Sequence, residues 1–246
     1  VIFAGVDYRA ILSAAEEEAE VILWDGGNND FSFIRPDISI VVSDALRAGH
    51  GLDYYPGETN LRSADILVIN KVSGAEEEAI ERILALKAEL NPAAQVLQSD
   101  LAVTVDQPEL LRGKRVLVVE DGPSVTHGGM PYGAGWVAAQ QHAPDMIVDP
   151  APHAVGSIRE TLDTFGHLYR VLPAMGYSED QRAELKSTIE NSDAEVVINA
   201  SPADIAGLLD LSLPVVKVRY RFAPVTGADI LAIVRERLGF PAQPPS

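Results

Sequence analysis

The sequence contains no cysteine. That excludes a disulfide framework, a thiolate nucleophile and a zinc–thiolate site, and it fits a reducing cytoplasm. Cations are also scarce. Lys and Arg number 19 against 36 Asp and Glu, a formal net charge of −17, and no basic cluster interrupts the excess. The electrostatic footprint of a nucleic-acid binder is therefore missing. No long apolar run occurs, so neither a helical membrane span nor a membrane partner is expected. The five histidines are too scattered for a metal signature. A further absence is Gly-x-x-x-x-Gly-Lys-Ser/Thr, the loop that cradles nucleotide phosphates in P-loop enzymes. If the chain serves an NTP enzyme, that loop lies upstream. The opening Val1-Ile2-Phe3-Ala4-Gly5 supports this, since it lacks an initiator Met, a basic segment and a signal-peptide pattern. The chain is expected to begin inside a longer protein.

What is present is the composition of a folded protein: 246 residues, 47% of them hydrophobic, enough for two domains with cores of their own. Short β-branched runs alternate with helical stretches, the signature of an α/β fold. In the first part strands are predicted at 21–24, 38–42, 66–69 and 95–97, with a helix over 75–90 that Asn91-Pro92 stops. These strands are apolar with little alternation, as in a parallel sheet covered on both faces. A second cycle follows Arg112-Gly113. Its strands are predicted at 115–119, 146–148, 169–172, 195–198 and 215–220, and its helices at 135–142, 157–165, 178–191 and 227–238. That is a complete doubly wound domain. The expected organisation is therefore 1–112, 113–240 and a mobile Pro-rich tail, 241–246. Residues 1–112 carry 8 basic and 20 acidic side chains and the remainder 11 and 16, so a polyanion site belongs to the second half.

In parallel α/β sheets ligands bind beyond the carboxyl ends of the strands. Four loops there are unusual. Trp24-Asp25-Gly26-Gly27 ends an apolar run with a carboxylate and two glycines, which suits Asp25 to Mg²⁺ and the Gly26 and Gly27 backbone to a terminal phosphate. A plain glycine turn is the alternative. Asn70-Lys71 ends another run. P-loop GTPases hold Asn-Lys-x-Asp there, with the Asp accepting two hydrogen bonds from guanine. Here the fourth residue is Ser73, which cannot supply a bidentate acceptor, so adenine becomes the plausible base. The loop from Asp44 to Arg62 is long, polar and aromatic. Its Arg47 and Arg62 suit phosphate and its His50 acid–base work, against the commoner fates of solvated Arg and packed His; Asp65 beyond it reads as a structural cap. The fourth loop runs from Glu120 to Trp136 and holds Thr126, His127, Gly128, Gly129, Gly133 and Gly135 just before a helix. Glycines in that place let backbone N–H groups approach an anion at the helix start, where the dipole favours negative charge. In the last strand Lys217, Arg219 and Arg221 alternate with apolar or aromatic residues and so share a face, either to hold a charged substrate or to blunt a sheet edge.

The strings AGVDYRAIL, ILWDGGNNDF, YYPGETNLR, VINKVS and THGGMPYGAG, spread over nearly the whole chain, resemble the carboxyl-terminal part of the cyclic 2,3-diphosphoglycerate synthetase family, whose bacterial members are often labelled predicted GTPases. The resemblance implies the second half of a P-loop NTPase-type parallel sheet followed by a doubly wound Rossmann-like domain. It also implies an ATP-dependent ligase that uses Mg²⁺ to close a phosphoanhydride within 2,3-diphosphoglycerate or to act on a related small phosphorylated anion. On that reading Asp25 holds the metal, and Gly26, Gly27, Asn70 and Lys71 bind the nucleotide. Asp25, Arg47, His50 and His127 then serve catalysis, and Arg62, Thr126, Gly128, Gly129, Gly133, Gly135 and Arg219 face the substrate. The sequence departs from the family at Ser73, where many relatives have Asp, and at Ala48, where Pro is common. A regulatory or metallochaperone GTPase and a stand-alone binding module remain the alternatives. Because a first domain lacking its phosphate loop exposes apolar surface, self-association is expected, and the chain alone is expected to be inactive.

Overall fold

The computed structural model describes residues 1–26, 32–176 and 178–241. The chain forms two compact units, Val1–Leu101 with Phe222–Ser246, and Ala102–Arg221. The first begins with α1 (Tyr8–Glu18), whose N-terminus is closed by the Asp7 side chain accepting from the Ala10 N–H at 3.1 Å. There follow β1 (Ile40–Asp44), the short helices α2 (His50–Asp53) and α3 (Gly57–Ser63), β2 (Ile66–Asn70), α4 (Glu77–Leu90) and β3 (Gln95–Val105). The strands β1, β2 and β3 pair parallel in that order, with Ile40 opposite Ile66 and Ile66 opposite Gln95.

β2 shows why its sequence reads as an unbroken apolar run. Leu67 and Ile69 turn to one face, onto Leu61 and Ile83, while Ile66 and Val68 turn to the other, onto Leu97 with Ile38, Ile230 and Ile233. Ile230 and Ile233 belong to the last helix of the chain. Each fully buried Ile or Leu contributes roughly 1.5–3 kcal/mol relative to exposure, so β2 anchors the unit.

The second unit contains β4 (Arg115–Glu120), α5 (Gly122–Val125), α6 (Ala134–Gln141), β5 (Met146–Ile147), α7 (Gly156–Thr164), β6 (Leu172–Pro173), α8 (Glu179–Glu190), β7 (Val196–Asn199), α9 (Ile205–Leu209) and β8 (Val215–Gly227). β8, β7 and β4 lie side by side, and the far edge of β4 is shared: β5 pairs with its first half and β6 with its second, all parallel. Both faces are covered. Leu117, Val119 and Val197 pack on Ile158, Leu185 and Ile189, whereas Val116, Val118 and Ile198 pack on Ala138, Ala139 and Leu111. The chain is thus a mixed α/β protein dominated by parallel strands. Among the described residues no helix is long and apolar enough to cross a membrane.

Five sequence expectations differ from what the structure shows. The apolar run 21–24 forms no strand, and Leu23 is 90% exposed. A strand needs a partner, and this run lies across a cavity from β1 instead of pairing with it. β6 starts late, because Arg170 takes a left-handed φ of 50° that a strand cannot contain. β8 does not stop at Tyr220 but runs on to Gly227. The helix expected to close the second unit, α10 (Ile230–Leu238), is thereby carried to the first, where it covers β2 and pairs Arg237 with Asp65 at 3.3 Å. The division between the units falls inside β3 and β8, not at Arg112-Gly113. The tail from 242 onward lies outside the described residues.

Candidate functional site

The strands β1 and β2 end in polar residues, and these cross-link with each other and with polar residues inside β3. β1 ends in Asp44, β2 in Asn70 followed by Lys71, and β3 carries Ser99 and Asp100 at the same level, since Asn70 is opposite both Asp44 and Ser99. Asp44 is the hub. Its Oδ2 accepts from Lys71 Nζ at 2.7 Å and from the Arg47 guanidinium at 3.0 and 3.2 Å, while Oδ1 caps the 3₁₀ turn Ala45–Arg47 through the Leu46 N–H. Burial works against the charge of Asp44, but the hydrogen bond and charge of Lys71, helped by Arg47 and the Leu46 N–H, outweigh it and hold the carboxyl below its ordinary range. Lys71 sits in the left-handed region at φ 62°, a conformation that costs a non-glycine residue about 1 kcal/mol or more and that aims the ammonium back at Asp44.

A carboxyl held low in the folded state contributes stability above its unfolded pKa, and that contribution is lost as pH falls through the folded value. Asp44→Asn should therefore cost about 1–2 kcal/mol at neutral pH and progressively less at acid pH, as the folded-state carboxyl takes up its proton. Urea unfolding of both proteins at neutral and at acid pH measures this, and an equal cost at both would refute the pairing.

Beside this cluster opens a cavity of about 1100 Å³ lined by Trp24, Asp25, Gly26, Asp44, Arg47 and His50 among others. The structure thus brings Asp25, Gly26, Arg47 and His50 to one concave surface, linked through Asp44 to Lys71. Asp25 and Gly26 are exposed there, and Gly27 lies outside the described residues. His50 opens α2 with its ring 4.6 Å from that of Tyr54. Arg62 is not part of this surface; it pairs along α3 with Glu58 at 2.8 Å, half exposed. Asp65 is the cap its position suggests, accepting from the Ser39 N–H at 2.9 Å. Among the described residues no three His, Cys, Asp or Glu side chains are grouped as a metal cage.

In the second unit the glycine-rich loop has an unexpected partner. Glu120, at the end of β4 and 2% exposed, accepts from the backbone N–H groups of Gly133 at 2.9 Å, Gly135 at 3.1 Å and Trp136 at 2.8 Å. The anion that the sequence pattern places at the start of α6 is supplied by the chain itself. Burial pushes the Glu120 carboxyl above its ordinary range despite the three N–H donors. The proximity also explains two glycines: a Cβ on Gly133 would lie 2.6 Å from the Glu120 carboxylate, and one on Gly135 2.7 Å from Val118. The other two glycine N–H groups are engaged as well, Gly128 with the Pro123 carbonyl and Gly129 with that of Thr126. Thr126 donates its hydroxyl hydrogen to the Gly122 carbonyl at 2.7 Å, so in its 3.1 Å contact with His127 the histidine Nδ1 carries the hydrogen. That tautomer leaves Nε2 of the exposed His127 as the basic nitrogen. Arg219 is exposed on β8; Lys217, with the same side-chain parity, reaches toward the carbonyls of Pro202 and Ala203.

Sequence reading passed over Asp44, Asp100 and Glu120 as functional positions. The signal was available, since each is an acid ending or interrupting an apolar β run.

These features define a mixed α/β protein whose parallel strands end in interlocked carboxylates and cations. No protein-family model matches the chain. It is similar to the arginine synthetase ArcE of Thermococcus kodakarensis, with 49% identity over 236 residues, 96% of this chain and 53% of the relative. The chain therefore spans about half the length of that curated relative.

Proposed function

We propose that the chain belongs to an ATP-driven ligase, with the strand ends of the first unit serving the nucleotide. The observation that carries this reading is the 49% identity, over 236 residues, to a protein named a synthetase. On this reading the first unit is the later part of a P-loop NTPase-type sheet and the second is Rossmann-like. Asp25 suits Mg²⁺, a metal that keeps most of its waters and is held by one or two carboxylates together with the nucleotide phosphates. When bound, the ion would neutralise charge on the transferring phosphoryl group. Arg47 would steady phosphate oxygens with Asp44 fixing its position, while Lys71, tied to the same carboxylate, would lie with Asn70 against the base.

Two substrates share this chemistry. In an arginine-forming reaction the ureido oxygen of the precursor attacks the γ-phosphorus and ADP leaves; a nitrogen nucleophile then attacks the activated carbon, and phosphate departs with the former ureido oxygen. In the cyclising reaction one phosphate of 2,3-diphosphoglycerate is activated and displaced by the other, releasing ADP and phosphate. The name of the relative, an arginine synthetase, favours the first. The sequence strings favour the second, which remains the other reading.

The test is ADP release by the full-length protein with Mg·ATP. The expected result is stimulation by the ureido counterpart of arginine plus ammonia, with arginine detected by mass spectrometry. Stimulation by 2,3-diphosphoglycerate alone moves the assignment to the cyclising reaction. Silence with both removes the ligase reading.

A further inference from the structure

Ser73 stands where an Asn-Lys-x-Asp sequence would have its base-reading carboxylate, yet a carboxylate is present. Asp100, half-buried on β3, accepts from the Ser73 N–H through Oδ1 at 3.0 Å and from the Ser73 hydroxyl through Oδ2. The neighbouring Asn70 is held in the same way from the adjacent strand, its Oδ1 accepting from the buried Ser99 hydroxyl at 3.1 Å, which leaves its amide N–H groups for other acceptors. The two strand ends thus pre-set the polarity of the groups above them.

An ionised carboxylate only accepts hydrogen bonds, so the single hydroxyl hydrogen of Ser73 is committed to Asp100. What the exposed Ser73 Oγ then offers outward is lone pairs alone. We propose that Asp100 is the specificity-determining residue of the nucleotide site, fixing Ser73 as an obligate acceptor that selects adenine over guanine. The 6-amino group of adenine donates to such an oxygen; the 6-carbonyl of guanine confronts it with a second lone pair. Asn70, turned to donate, serves a ring nitrogen common to both purines and supplies affinity without choice. The device replaces the two-acceptor carboxylate of a guanine site by a one-acceptor hydroxyl whose direction is set from the next strand. This inference rests on the reading that Asn70 and Lys71 hold the purine.

The experiment is equilibrium binding of ATP, GTP and purine-riboside triphosphate, which lacks the 6-amino group, to the full-length protein with Mg²⁺. The wild type should favour ATP over both others by about tenfold, the worth of one well-made hydrogen bond. In Asp100→Asn the side chain can donate to Ser73, the hydroxyl hydrogen is released, and the ATP:GTP ratio should fall to near one. In Ser73→Ala the 6-amino group should lose its value, so ATP and the purine-riboside nucleotide bind alike. A purely structural part for Asp100 would weaken all three nucleotides together and leave their ratios unchanged, which would overturn the proposal; so would tighter binding of GTP to the wild type. Failure of the wild type to bind any of the three would instead remove the nucleotide-site reading on which the proposal rests.

Discussion

Glu120→Ala should destabilise the second unit by roughly 3–5 kcal/mol, because it strips the acceptor from three N–H groups at once and each buried unpaired donor costs about 1–3 kcal/mol. Water entering the vacated space recovers part of this, which is why the sum stays below the upper bound. In thermal unfolding the change corresponds to a fall of the order of 10 °C. Glu120→Gln, which keeps one acceptor oxygen, should fall between the two. The pH dependence carries a sign of its own. Burial raises the folded-state pKa of Glu120, so the folded protein holds a proton that the unfolded chain has already released. The resulting stabilisation is complete below the ordinary carboxylate pKa and disappears as pH rises through the raised value. Glu120→Gln should lose that slope. Asp44 runs the other way, so comparing Asp44→Asn with Glu120→Gln across the acid range separates the two units by the direction in which each loses stability.

Gly122→Ala should be nearly as damaging. A Cβ there would lie 2.3 Å from the Ala174 carbonyl oxygen, a backbone atom that cannot rotate away. Ala174 is tied in turn to β4 through its own N–H, which donates to the Glu120 carbonyl at 2.7 Å. Relief therefore requires moving the turn at the end of β4 against β6, at a cost of about 2–4 kcal/mol, the upper range for overpacking. Gly166→Ala is the matched control. Nothing lies within 4 Å of a Cβ at that position and its φ is not left-handed, so denaturant midpoints should shift by no more than about 0.5 kcal/mol. A Gly122→Ala protein as stable as the control would show that the turn can slide, and the close packing of Gly122 would then have no energetic weight.

The parallel strands were legible because burial on both faces leaves an apolar run with no alternation, as in Ile66–Asn70 and Arg115–Glu120. The helix α4 was legible from its periodicity and its stop at Asn91-Pro92. Periodicity cannot say which sheet a helix covers, however, and α10 was placed with the sheet nearest in sequence when Ile230 and Ile233 in fact face β2. Gly113, with φ 66°, marks a turn, and a turn inside a unit looks the same in sequence as one between units.

Of the site, the loops were found and their internal bonding was not. Five glycines before a helix advertise exposed N–H groups, but the acceptor lies at the end of the preceding strand, and no local pattern shows Glu120 turning back toward the loop it begins. Arg47 suits phosphate and Lys71 the nucleotide base by residue type and place, but no local pattern shows that Asp44 stands between them. In the same way Ser73 was seen as a lost carboxylate, whereas Asp100 restores one from the next strand. Each omission is a contact between residues distant in sequence, brought together by parallel pairing.

The last helix gives the chain an order of events during synthesis. Ala102–Arg221 is continuous, so the second unit can close while the ribosome is still adding the remainder. The first unit cannot. Ile66, Val68 and Leu97 are made before the second unit but wait for Ile230 and Ile233, which follow it, before that face of the sheet is covered. Through that interval a greasy surface stands open to chaperones and to neighbouring nascent chains. Long-range closure of this kind is slow, and it makes the folding yield of the first unit depend on a segment synthesised after the second.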